Sequence, residues 1–158
     1  MLTVIRWFRV KVKTALSKVY QVVLDTNVLV AALRSRRGAS YRLLRLVGDP
    51  RWRINLSVPL LLEYEDVLKR PDVGHLLSSE QVDDVLDFLC ASASLRDIFY
   101  LWRPMLSDPK DDFVLELAVE SECDYIVTFN MKDFAGAEKF GVTAIRPQEF
   151  LRELGEIS

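Results

Sequence analysis

Histidine and cysteine are nearly missing from this sequence: His75, Cys90 and Cys123 are the only three such residues among 158. Standing 33 positions apart, the two cysteines make neither a disulfide framework nor a C-x-x-C redox pair, and one histidine makes no Cys/His zinc site. His75 follows Pro71-Asp72-Val73-Gly74, so it reads as a loop residue on the surface, and both cysteines read as small packed residues. Glycine and proline, six each, are too few for a collagen-like or low-complexity chain. There is no glycine-rich phosphate loop, nucleotide fingerprint or G-x-S-x-G elbow. Long apolar runs are missing too. Charges break each one well short of 18 residues, and Arg6 and Arg9 interrupt the start, so neither a membrane span nor secretion is expected and the expected location is cytoplasmic. Half of the residues are hydrophobic and 28% are charged. That composition suits a globular chain with one core, able to bury roughly 70% of the surface it exposes when unfolded.

The net charge of −2 conceals a division along the chain. Residues 1–53 carry twelve Lys and Arg against Asp25 and Asp49, a balance of +10, whereas residues 54–158 carry nine bases against 21 acids, a balance of −12. A basic face beside an acidic pocket is compatible with this division, as is plain solvated surface of both signs.

The apolar pattern alternates between strand and helix signals. Tyr20 to Leu24 is a short β-branched run that ends at Asp25 and reads as a buried strand. Val28, Leu29, Ala32 and Leu33 then share a helix face, closed by the turn Ser35-Arg36-Arg37-Gly38. A helix over about 39–47, a strand over 53–57, a helix opened by Pro59 and a helix capped by Ser78 or Ser79 follow. The remaining expectations are a strand at Ile98 to Leu101, a helix from about Asp111 to Glu122, a strand at 124–128, a short strand at Val142 to Ile145 and a last helix from Pro147 to Leu154. Strands that alternate with helices imply parallel crossovers, hence a three-layer α/β/α sandwich around a central, mainly parallel sheet. Residues 20–158 form that domain. Residues 1–19 stand apart: Phe8 to Lys13 alternate apolar and basic without an acid, an extra strand or an N-terminal extension.

Ligands of an open parallel sheet bind beyond the carboxyl ends of its strands, and this rule gathers the scattered acids. Asp25 ends the first strand, Glu63 lies one turn inside the helix after the second, Asp108 to Asp112 precede the late helix, and Asn130 and Asp133 follow the strand after it. Adjacent carboxylates repel unless a cation neutralises them, and an oxygen-only set selects a hard ion such as Mg²⁺ or Mn²⁺. Such an ion makes a nucleophile of bound water and screens a phosphate, which suits phosphodiester hydrolysis without a Ser, Cys or His nucleophile. Arg34, Arg36 and Arg37, on the turn after the first helix, are candidates to hold an RNA backbone.

Four blocks in order carry a resemblance: Val22-Val23-Leu24-Asp25-Thr26-Asn27-Val28-Leu29, Pro59-Leu60-Leu61-Leu62-Glu63-Tyr64-Glu65-Asp66-Val67-Leu68, Asp108-Pro109-Lys110-Asp111-Asp112-Phe113-Val114-Leu115, and Ile126-Val127-Thr128-Phe129-Asn130-Met131-Lys132-Asp133-Phe134. Over about residues 20–155 the chain resembles the PIN domain family, and most closely its toxin-component, VapC-like type. The resemblance implies a Mg²⁺- or Mn²⁺-dependent ribonuclease, commonly a homodimer, held inactive by an antitoxin protein at the acidic groove. Position by position, it makes Asp25, Glu63 and Asp111 the first three metal-binding and catalytic acids, with Asp112 the neighbour of the third. The fourth is either Asn130, which brings an amide oxygen but no charge, or Asp133. Thr26, Asn27, Thr128, Asp108 and Asp112 support the rim, whereas Glu65 and Asp66 read as solvated.

Two other readings compete. Asn130 in place of an acid suits a catalytically inactive PIN-like module that binds RNA or protein, although Asp25, Glu63 and Asp111 argue against it. A phosphoacceptor signalling domain also gathers acids above a parallel sheet, but its acidic pair follows the first strand, whereas here Asp111-Asp112 opens a late helix.

Overall fold

The computed structural model describes residues 18–97 and 109–158. The basic segment Arg9-Lys11-Lys13, the strand expected at Ile98 to Leu101 and Asp108 lie outside the described residues.

Five parallel strands form one sheet in the order β3-β2-β1-β4-β5. They are β1 (Tyr20–Leu24), β2 (Trp52–Leu56), β3 (Ser94–Leu95), β4 (Tyr125–Val127) and β5 (Thr143–Ile145). Six α-helices connect them among the described residues: α1 (Thr26–Arg34), α2 (Ala39–Arg45), α3 (Val58–Leu68), α4 (Ser79–Ser92), α5 (Pro109–Glu120) and α6 (Pro147–Glu153). Two 3₁₀ turns, Met131–Phe134 and Ala137–Phe140, lie between β4 and β5. Neighbouring side chains on a strand point to opposite faces, and Val22, Val23 and Leu24 are all buried, so helices cover both faces of β1 and the fold is the expected three-layer sandwich.

Element boundaries differ from the sequence pattern where local chemistry outweighs periodicity. Pro109, not Asp111, opens α5, because a proline lacks the N–H that a first helical turn leaves unpaired anyway. Ser78 caps α4 through a reciprocal pair: its hydroxyl accepts from the Gln81 N–H at 3.2 Å, and the Gln81 side chain accepts from the Ser78 N–H at 2.9 Å. The edge strand beside β2 is only Ser94–Leu95, too short to show period-two alternation, and the sequence pattern places no element there.

The two ends of the sheet differ in chemistry. At the amino ends, Tyr20, Trp52 and Tyr125 project from β1, β2 and β4 onto one face, as the pairings Tyr20 with Trp52 and Val22 with Tyr125 require. Phe150 of α6 packs against all three, with ring centroids 6.0, 5.5 and 5.6 Å away. Arg51, just before β2, binds both oxygens of Asp49 and holds that carboxyl at a pKa of about 2. It also donates to the Leu154 carbonyl and to Glu156, which ties the chain after α6 to the start of β2.

At the carboxyl ends the ladder runs one residue past the strands: the Asp25 N–H donates to the Val127 carbonyl and the Thr128 N–H to the Ile145 carbonyl, each at 2.9 Å. The register that pairs Leu24 with Val127 therefore sets Asp25 beside Thr128. Helix α3 starts beyond β2 with Ser57 as its cap, the hydroxyl accepting from the Leu60 N–H. Its fully buried Tyr64 donates its hydroxyl to the carbonyl of Leu24, the residue before Asp25. Burial first, and then the charges of Asp25 and Glu63, push the Tyr64 phenol well above its ordinary pKa, so it stays a donor.

Two substitutions separate these ends. Phe150→Ala removes an aromatic from a closed cluster and is expected to lower unfolding stability by about 3–5 kcal/mol in denaturant titrations. Tyr64→Phe keeps the packing but strips a buried carbonyl of its partner. It is expected to cost about 1–3 kcal/mol, and unchanged stability would show that the hydroxyl does not anchor α3.

Candidate functional site

The side chain of Asp25 is the hub of the rim above β1 and β4. It stands at the N-cap of α1, only 8% exposed, and its Oδ1 accepts from the Thr26 N–H at 2.8 Å. Its Oδ2 accepts from the Thr128 hydroxyl at 2.7 Å and the Asn27 side-chain amide at 2.9 Å. The Thr128 oxygen accepts in turn from the Asn130 N–H at 3.0 Å and the Asn27 amide at 3.3 Å, and the Asn27 carbonyl oxygen accepts from the Phe129 N–H at 3.3 Å. Asn27 and Thr128 thereby lock the start of α1 to the turn after β4.

Glu63 joins through Thr26, whose hydroxyl donates to Glu63 Oε2 at 2.5 Å. Burial raises the pKa of Asp25 against the hydrogen bonds from Thr128 and Thr26, and the negative charges of Glu63 and Asp133 raise it further. Among the described residues neither Asp25 nor Glu63 forms an ion pair with a Lys or Arg. Lys69 pairs instead with Glu65 and Asp83, and Arg70 with Asp66, which leaves Glu65 and Asp66 as ordinary helix-surface partners.

The other expected residues come from the turn after β4 and the start of α5. Asp133 stands half-buried in the Met131–Phe134 turn, close enough for its charge to act on Asp25. Asn130 is exposed at the head of that turn. Asp111 and Asp112 are both half-buried in the first turn of α5, where acids suit the helix dipole. Asp112 lies one helical turn before Glu116, a residue with 4% exposure whose carboxyl pKa is raised by burial and by the charges of Glu120 and Asp112. Among the described residues no group of three or more His, Cys, Asp or Glu side chains is close enough to hold an ion together.

The three arginines of the turn after α1 are all exposed but do not form one surface. Arg34 lines a groove with Thr26 and Asn27, whereas Arg37 lines a different hollow with Arg42, Gln148 and Leu151. His75 is exposed and Cys123 is buried, its thiol pushed up to about 12 by burial, so neither takes part in the rim. Tyr64 and Phe129 are the positions that the sequence pattern passes over. Tyr64 looks like one more apolar residue of a helix stripe. The signal for Phe129 is a large apolar residue set in an otherwise polar turn.

A solved structure shares this fold. The chain superposes on a chain of the crystal structure of VapBC2 from Rickettsia felis bound to a DNA fragment from their promoter, with a TM-score of 0.53 and 19% sequence identity, over 80% of this chain and 98% of that one. At that identity the likeness is one of fold. No curated protein sequence matches significantly. The family model of the PIN domain matches residues 21–132, the stretch that runs from β1 through Asp25, Glu63 and Asp111 to the turn after β4, more than two thirds of the chain. The chain belongs to the PIN domain family.

Proposed function

We propose that this chain is a divalent-metal-dependent ribonuclease, the toxin of a toxin–antitoxin pair. The observation that carries the reading is the buried Asp25 carboxylate beside Glu63, within reach of the charge of Asp133, with no Lys or Arg paired to Asp25 or Glu63 among the described residues. Uncompensated carboxylates at the carboxyl end of a parallel sheet call for a cation, and a donor set of carboxylate and amide oxygens fits Mg²⁺ or Mn²⁺. Asp25 and Glu63 would hold the ion first, and Asp111 from the first turn of α5 and Asp133 or Asn130 from the turn after β4 would have to draw in to complete its shell, since among the described residues no three of these acids already meet at one point. When bound, the ion supplies a low-pKa water as nucleophile and screens the negative charge of the phosphate.

The chain's own residues do the positioning. Thr26, Asn27 and Thr128 occupy three of the acceptor positions of Asp25 and so orient the remaining one outward. Tyr64 keeps α3 seated on β1, which holds Glu63 level with Asp25. Likeness in fold to VapBC2, together with family membership, supports an antitoxin protein as partner, and a homodimer as the working unit belongs to the same proposal. A cytoplasmic location belongs to the same reading, and no helix among the described residues is long and apolar enough to cross a membrane.

Cleavage of single-stranded RNA by the purified chain is expected with Mn²⁺ or Mg²⁺ and not with EDTA, and Asp25→Asn and Glu63→Gln are each expected to lower its rate by 10²-fold or more, on the order seen when metal-site groups and their supports are lost. Metal-free stability is expected to stay level or rise in Glu63→Gln, because a neutral amide oxygen still accepts from Thr26 while the repulsion of Asp25 disappears. Mn²⁺ is then expected to raise the Tm of the wild type and not that of Glu63→Gln. RNA binding without cleavage under every divalent ion would make the chain a binding module instead.

A further inference from the structure

Phe129 is 44% exposed, yet its position is tightly prescribed. Its own N–H donates to Asn27, the residue before it donates a hydroxyl to Asp25, and the N–H of the residue after it donates back to that same hydroxyl oxygen. A large aromatic is thus held in the open at the edge of the acidic rim. On one side it walls a groove of about 580 Å³ with Val30, Ala31 and Val67, which Asn27 and Thr26 join to the Asp25 network and where Arg34 supplies the charge. On the other side it borders a hollow of about 460 Å³ lined by Lys132, Arg146 and Asp133. None of Arg34, Lys132 and Arg146 forms an ion pair among the described residues.

An apolar groove alone would accept an aliphatic side chain of a protein as readily as a base. An exposed aromatic with cations on both sides is instead complementary to a single-stranded polyanion, whose bases stack on the ring while its phosphates follow the charges. The volume of the groove suits one planar base and its sugar. We propose that Phe129 and the groove beside it form a base-binding subsite for unpaired RNA. One base stacks on Phe129 next to the phosphate to be cut, and flanking phosphates rest on Arg34 on one side and on Lys132 and Arg146 on the other. A duplex does not fit, because its bases are stacked on one another and its major groove is too narrow for side chains to reach them. The subsite makes Phe129 a specificity-determining residue. It rests on the ribonuclease reading for the choice of polymer.

The test reads binding apart from cleavage, on the full chain. A 2′-O-methylated RNA decamer with 2-aminopurine tiled through its positions is titrated in Mg²⁺ with wild type, Phe129→Trp, Phe129→Leu and Phe129→Ala. Quenching of 2-aminopurine at one position is expected with wild type and Phe129→Trp. With Phe129→Leu, which keeps apolar bulk but lacks a π-face, and with Phe129→Ala, the quenching is expected to vanish and Kd to rise roughly ten-fold. An abasic site at that position is expected to weaken wild type by a similar factor and Phe129→Ala no further. Equal binding by wild type and Phe129→Ala, or binding by neither, overturns the subsite and leaves the groove as a protein-docking surface. Stacking at Phe129 with no RNA cleaved under any divalent ion supports the subsite and overturns the ribonuclease reading.

Discussion

Everything at the working end of this protein depends on burying one carboxylate. Taking Asp25 out of water costs several kcal/mol unless donors meet it, and the fold meets it three times, with a backbone N–H, a threonine hydroxyl and an asparagine amide. Those donors come from two places more than one hundred residues apart, Thr26-Asn27 and Thr128. They can meet only because β4 lies beside β1 in the sheet with Leu24 opposite Val127. The pairing of two strands thus adds the Thr128 hydroxyl to the two donors that Asp25 receives from the residues next to it.

The donors do not complete the neutralisation. Burial, and after it the charges of Glu63 and Asp133, still raise the pKa of Asp25, and neither Asp25 nor Glu63 has a Lys or Arg partner among the described residues. The rest of the chain tolerates this because stability is built elsewhere. At the opposite end of the same strands, Phe150 closes an aromatic cluster and Arg51 clips Asp49, Glu156 and the Leu154 carbonyl together. A parallel sheet makes this separation possible: all amino ends lie on one side and all carboxyl ends on the other, so strain at one is not paid for by contacts at the same place. The charge division along the chain maps only partly onto this axis. Arg34 faces the groove at the rim, while Arg42 and Arg51 serve the junction with the C-terminal residues and Arg37 lines a hollow beside Arg42.

Much of the architecture could be read from pattern alone. Short apolar runs announce β1 and β4, the stretch from Arg53 to Ser57 announces β2, helical stripes announce α1, α3 and α4, and their alternation implies the parallel sheet, because these signals are local. That Asp25 and Glu63 are neighbours was legible for a related reason: each stands at a fixed offset from an element's end, and the rule that ligands gather beyond strand carboxyl ends brings such offsets to one rim. The two-residue β3 was not legible, since its only identity is a pairing with Asn55 and Leu56. Nor was the separation of Arg34 from Arg37, three positions apart in the sequence, because that depends on where α1 ends and how Ser35 to Gly38 turn.

The sequence by itself determined which segments become strands and helices and which of them are followed by acids. These are matters of composition and short-range period, set by residues within one or two turns of each other. Only the tertiary structure decided that Thr128 and Asn27 share Asp25, that Thr26 bridges to Glu63, that Tyr64 holds α3 on the end of β1, and that Phe129 stands exposed between cations. Apart from the bond between Asn27 and Asp25, two residues apart, those contacts join elements remote in the chain. A hydrogen bond between them exists only once strand register has fixed both partners in space, and register is a property of paired strands.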